Sequence, residues 1–144
     1  MTLFQEVVSL HFEVGEHVFV VHGLPARRYA GALQASANAV ARAELQIAAH
    51  IAQRKDLHNA QTFAFVRRVA LINQRLFAEI YGVKSTSISR WENGTRPVPE
   101  GAWSLLALLL RQDDPKAAAE ALRDRPAPHR APEPIPLDYS AAAG

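Results

Sequence analysis

The stretch Gln74-Arg75-Leu76-Phe77-Ala78-Glu79-Ile80-Tyr81-Gly82-Val83-Lys84-Ser85-Thr86-Ser87-Ile88-Ser89-Arg90-Trp91-Glu92-Asn93-Gly94 holds two short apolar-periodic segments separated by a glycine. Gln74 to Tyr81 and Ser85 to Glu92 each carry helical spacing, and Gly82 can take the left-handed conformation that ends the first. Ala78 is small where two helices would cross closely, and Val83 and Ile88 are placed to plug the core behind the second. Ile88 and Trp91 share one face, so Ser85, Thr86, Ser87, Ser89 and Arg90 are left for the others. Small hydroxyl side chains around one Arg suit a helix that must enter a groove about 12 Å wide and still reach base edges.

Outward from this run the helical pattern continues. Phe63 to Ile72 precedes it and roughly Glu100 to Arg111 follows, with breaks at Asn73, Asn93-Gly94, Pro97 and Pro99. Asp113-Asp114-Pro115 offers an N-cap and a proline at the first helical position, opening a fifth short helix through Leu122. The chain begins differently. Val8 to Val14 and His17 to His22 alternate with period two around Gly15-Glu16, which predicts a β-hairpin, and Gly23-Leu24-Pro25 should close its second strand. From Leu33 to about Lys55 the apolar residues return to helical spacing, and Ala35 to Ala49 fits a packed or dimerising helix. From Pro126 to Pro136 the prolines are too dense for helix or sheet and the apolar groups too few to offset ordering, so that segment should be extended and mobile when alone. The expected architecture is mainly α, a five-helix domain preceded by a small β-hairpin plus long-helix unit, α+β in class. Its parts are 1–58, 59–124 and a Pro/Ala-rich tail at 125–144.

The chain has 144 residues, 49% of them apolar and 21% charged, with no Cys. That length suits one small domain or two very small ones and leaves no room for a two-lobed enzyme. Without Cys there are no disulfides, thiolate zinc sites, iron–sulfur clusters or Cys nucleophiles. No stretch approaches the roughly 18 apolar residues of a membrane helix, and the first residues lack the pattern of a secretory signal, so the cytoplasm is the expected compartment. Charge is unevenly spread. Residues 61–111 hold seven Lys/Arg against three Asp/Glu, while residues 1–60 balance five against five and residues 112–144 hold four against six. A basic surplus confined to one segment is the footprint of a surface that meets phosphates.

Together these features describe a helix-turn-helix. The run resembles the Xre/Cro family of phage-repressor-type DNA-binding domains over residues 61–111. Gln74, Ala78, Gly82, Val83, Ile88, Ser89, Arg90, Trp91, Glu92, Asn93 and Gly94 carry the likeness. The resemblance implies that Gln74 contacts a backbone phosphate and that Ser85, Thr86 and Arg90 read bases. It pairs Arg67 with Glu92, where Arg67 would link the ion pair to a phosphate, and it places Thr95 and Arg96 in the loop that touches the sugar-phosphate backbone. Lys84 and Ser87 complete the implied backbone contacts. Lys84 stands where the family often has a Ser or Thr cap, so the helix is expected to start at Ser85. Ser85 and Thr86 suit capping as well as base reading, and Trp91 suits the core better than a stacking surface.

A narrower resemblance covers more of the chain. Leu105 to Leu122, an apolar helix followed by an acidic-Pro break and a short helix, is similar to the last two helices of MqsA-type antitoxins. Two strands, Pro25-Ala26 and a long helix are similar to the zinc-binding unit that precedes the DNA-binding domain there. Where that family has a Cys-x-x-Cys, this chain has Tyr29-Ala30-Gly31-Ala32, so zinc is not carried over. Phe12, Val18, Val20 and Tyr29 would then hold the unit by packing against the long helix.

Catalysis finds no foothold. The chain has no Gly-x-Ser-x-Gly, no phosphate-cradling Gly-rich loop and no His-Glu-x-x-His, and His11, His17 and His22 fit no zinc spacing. No cofactor or metal is expected. The expected function is a sequence-specific transcriptional regulator, the antitoxin of a type II pair that neutralises a ribonuclease toxin and represses its own operon as a homodimer on a palindromic site. The open hairpin edge and the Pro-rich tail are rival surfaces for the toxin. A stand-alone repressor without a toxin stays open, as does a protein-interaction adaptor that binds no DNA.

Overall fold

The computed structural model describes residues 6–125 and 134–139. Three strands come first: β1 (Val7–Val14), β2 (His17–Tyr29) and β3 (Ala32–Ala35). Six α-helices follow: α1 (Ala37–Ala52), α2 (Ala60–Val69), α3 (Gln74–Tyr81), α4 (Ser85–Glu92), α5 (Glu100–Leu110) and α6 (Pro115–Arg123), with a 3-10 turn at Lys55–Leu57. The fold is therefore α+β, an antiparallel sheet in the order β1-β2-β3 joined to a set of helices.

The sheet is larger than the expected hairpin. The second strand does not close at Gly23-Leu24-Pro25 but runs on to Tyr29 and pairs there with β3. Gly23 makes this possible. Val8 faces Leu24 while Leu10 faces Val21, so His22 and Gly23 together oppose Ser9, and Gly23 takes a φ of +76°. This β-bulge inserts one residue into β2 and resets its alternation. Leu24 and Ala26 are thereby buried on the face that meets α1. Pro25 withdraws no ladder bond. The Ala26 N–H donates to the Glu6 carbonyl at 2.9 Å, so the Pro25 nitrogen faces away from β1, where pairing with β3 begins only at Ala26 and Ala35.

The long helix is shorter than its apolar spacing suggests. Leu33 pairs with Arg28 in β3, and α1 starts after Ser36, whose hydroxyl accepts from the Ala39 N–H at 3.1 Å. At its far end the His58 Nε2 donates to the Ile51 carbonyl at 2.9 Å, and the His58 ring stacks on Trp103 with centroids 3.8 Å apart. The next helix opens on a capping box. Asn59 Oδ1 accepts from the Thr62 N–H at 2.8 Å, while Thr62 Oγ1 accepts from the Asn59 N–H at 2.9 Å.

One core joins α1 to the later helices. Ile47, Ala48 and Ile51 belong to the same buried cluster as Phe63, Phe77, Ile88, Trp91, Trp103 and Leu106. Phe63 sits at its centre, edge-on to Phe77, Trp91 and Trp103 at 5.5, 5.9 and 5.3 Å. A second cluster of Leu24, Ala39 and Ala43 seats the sheet on α1, with Phe12 packed against both clusters. Val18, Val20 and Tyr29 do not take the packing role expected of them. They lie on the opposite face of the sheet and are exposed, because alternation places Val18 and Val20 out of phase with Phe19 and Val21, and the Gly23 bulge places Tyr29 out of phase with Leu24 and Ala26.

Candidate nucleic-acid interface

The junction of α3 and α4 decides which side chains α4 presents. Gly82 adopts φ +86°, and the N–H groups of Gly82 and Val83 both donate to the Ala78 carbonyl at 2.9 and 3.0 Å. These bonds end α3 and turn the chain sharply. Lys84 occupies the cap position of α4 without a side-chain cap bond, and the helix proper begins at Ser85. Ile88 and Trp91 are buried beneath it. Lys84, Ser85, Thr86, Ser89 and Arg90 are exposed, and Ser87 is half-buried. Among the described residues Lys84, Arg90 and Arg96 have no ion-pair partner.

The loop after α4 is folded back onto the end of the helix. The Arg90 carbonyl accepts from the Thr95 N–H at 3.0 Å and from the Arg96 N–H at 3.2 Å. Asn93 Oδ1 accepts from both the Thr95 N–H at 2.9 Å and the Thr95 hydroxyl at 2.5 Å. Thr95 and Arg96 are thus fixed next to the exposed residues of α4, both open to solvent. Arg90 and Arg96 are thereby brought together at the last turn of α4, and Lys84 stands at its other end.

At the end of α4, three elements are locked by one carboxylate. Arg67 on α2 donates to both oxygens of Glu92 at the end of α4, Nε at 2.5 Å and Nη2 at 2.8 Å, and Nη1 donates to the Ile72 carbonyl at 2.9 Å. Gln74, the first residue of α3, donates its side-chain amide to the same carboxylate at 3.0 Å. The Arg67 and Glu92 side chains are only 9% and 10% exposed. Arg67 therefore does not stand among the accessible backbone contacts where the sequence placed it. Burial and the three hydrogen bonds commit its guanidinium inward, and it reaches the surface only by orienting Gln74 through Glu92.

One cation was missed by sequence reasoning. Arg75, directly after Gln74, is 85% exposed and pairs with Glu79 at 3.3 Å one turn along α3. Its position beside the expected phosphate contact was the available signal. Asn73 caps this helix, with Oδ1 accepting from the Leu76 N–H at 2.7 Å.

The histidines are dispersed. His22 Nδ1 shares a hydrogen bond with Ser9 Oγ at 2.8 Å, and His17 packs near Phe19. Among the described residues no group of three His, Asp or Glu side chains is placed to hold a metal ion, and no helix is long and apolar enough to cross a membrane. No family model matches the chain, and neither a curated protein nor a solved structure matches it.

Proposed function

We infer that the chain is a sequence-specific DNA-binding transcriptional regulator of helix-turn-helix type. The observation that carries this is the outer side of α4, where Arg90, without an ion-pair partner among the described residues, stands among exposed hydroxyls while Thr95 and Arg96 are tied to its own carbonyl. In this reading α4 lies in the major groove. Arg90 donates to guanine O6 and N7, and Ser85 and Thr86 reach neighbouring base edges. Gln74, Lys84, Ser87, Thr95 and Arg96 bind phosphate and set the register, with Arg67 acting through Glu92 to position Gln74.

One such helix reads only a few base pairs. A homodimer with two-fold symmetry engages half-sites about 34 Å apart on a palindromic operator and so multiplies specificity. The likeness of the α5–α6 segment and the strand-plus-helix unit to MqsA-type antitoxins extends the reading: the chain is the antitoxin of a type II pair, grips a ribonuclease toxin with its β unit and represses its own operon. The cytoplasm is the compartment where such a regulator meets DNA.

Selection of bound duplexes from a random-sequence library, followed by anisotropy titration of the enriched site, tests the DNA reading. Enrichment of a palindromic site whose affinity falls steeply with salt supports it. Failure to enrich any sequence overturns it.

A further inference from the structure

Two features of this chain are left unsatisfied by its own fold and complement each other. The first is the outer edge of β1. The Ala26 N–H bond to Glu6 and the tight turn joining Val14 to His17 fix which groups face β2. The backbone N–H and C=O groups of Val7, Ser9, His11 and Glu13 therefore point the other way. Among the described residues no strand pairs there. An open edge of this length is a template for strand addition.

The second feature is the segment Pro134-Ile135-Pro136-Leu137-Asp138-Tyr139, which lies outside the helices and strands. Ile135, Leu137 and Tyr139 are 82%, 88% and 92% exposed, so three large apolar groups face solvent. They recur at every second residue and share one face of an extended chain. Pro134 and Pro136 have no N–H, and in a strand they occupy the side opposite the N–H groups of Ile135, Leu137 and Tyr139. The segment can thus pair along one edge only, and its prolines block a further strand on the other.

We propose that residues 134–139 of one copy add as a fourth, antiparallel strand along β1 of a second copy, reciprocally. In that register Ile135, Leu137 and Tyr139 lie directly opposite outward-pairing residues of β1 and on the same face of the sheet. That face carries the exposed Val7, Val18 and Val20, which the added side chains cover. Each copy offers the β1 edge and the 134–139 segment, so two copies related by a two-fold axis satisfy both. The proposal stands apart from the DNA reading. Where that reading holds, a toxin adding to the same edge and a neighbouring copy's segment exclude one another.

The test uses the full chain in sedimentation equilibrium. Leu137→Lys spoils the segment and leaves the edge intact; His11→Pro removes an outward N–H and leaves the β1–β2 ladder intact. Each is expected to weaken self-association by about tenfold or more, through lost apolar burial or lost hydrogen bonding. An equimolar mixture of the two should favour heterodimers over either homodimer, since one of the two contacts then joins an intact segment to an intact edge. In the parent, amide exchange at Ile135, Leu137 and Tyr139 should slow as concentration rises while Asp138 stays fast. Variants that associate like the parent, or a parent monomeric at every concentration, overturn the proposal. Protection independent of concentration also overturns it, because the segment would then dock on its own chain.

Discussion

Arg67 and Glu92 meet through two parallel hydrogen bonds at 2.5 and 2.8 Å in a pocket that leaves each side chain about one-tenth exposed. The pair ties α2 to the last turn of α4, and through Glu92 it also holds Gln74 at the start of α3. Removing one member strands the other as a buried, uncompensated charge. Arg67→Ala is expected to destabilise the protein by about 3–5 kcal/mol. Arg67→Lys should recover little of this, since an ammonium cannot donate in parallel to both oxygens. Urea unfolding followed by tryptophan fluorescence measures both, and a loss below about 1 kcal/mol for Arg67→Ala would remove the pair from the structural account.

Two exposed arginines, Arg90 on α4 and Arg96 in the loop after it, should separate by role. Arg90→Ala is expected to lower affinity for the selected site by about 1–3 kcal/mol and to relax preference at one base pair. Arg96→Ala should weaken binding to all sequences alike and reduce the salt slope by about one. Both should leave the melting temperature within a degree or so of the parent, because neither side chain is packed. Anisotropy titrations at several salt concentrations distinguish the two roles, and equal binding by Arg90→Ala and the parent would end its assignment to bases.

Phe63 is fully buried between three aromatic rings. Phe63→Ala should cost about 3–5 kcal/mol through lost burial and the cavity it leaves. If the sheet and the later helices unfold together, as a core shared with α1 requires, circular dichroism and tryptophan fluorescence will report one transition. Two resolved transitions would contradict that shared core.

Backbone strain offers stabilising changes. Ala30 and Leu71 adopt φ of +53° and +63°, a region that disfavours side chains carrying a Cβ. Both are exposed, so Ala30→Gly and Leu71→Gly should each raise stability by about 1 kcal/mol, the relief of strain exceeding the added freedom of the unfolded chain. Thermal melts that show either variant clearly less stable than the parent would contradict this.

Hydrogen bonding from Arg54 holds the Asp56 carboxyl below the usual carboxylate range. A lowered folded-state value means that the pair's contribution is present above the ordinary carboxylate pKa and fades as pH falls through the lowered one. The pair is solvent-exposed and screened by salt. Following the Asp56 carboxyl by NMR should show its titration moving upward in Arg54→Ala, and no movement would remove the interaction.

Much of the helical part was legible in the sequence. The expected bounds of α3 and α4 match the structure, α5 stops one residue short of Arg111, and α6 opens at Pro115 on its Asp114 cap. The cap, the glycine stop and the apolar stripe act within a few residues of one another, so local sequence carries them. The exposed position of Arg90 follows from the same periodicity once Ile88 and Trp91 are placed inward, whereas Thr95 and Arg96, in the loop after α4, were placed by the family resemblance alone.

The β unit and the depth of Arg67 were decided elsewhere. Gly23 reads locally as a strand end, and only pairing with β1 turns it into a bulge that lets β2 continue and recruit β3. Leu33 has helical spacing but pairs with Arg28. Arg67 sits on a helix whose sequence does not reveal how deeply the other elements cover it; Glu92, Ile72 and Gln74 close over it only when α2, α3 and α4 pack. Helix ends and faces are written in near neighbours along the chain, whereas strand register and burial depend on residues distant in sequence, which only the assembled fold brings together.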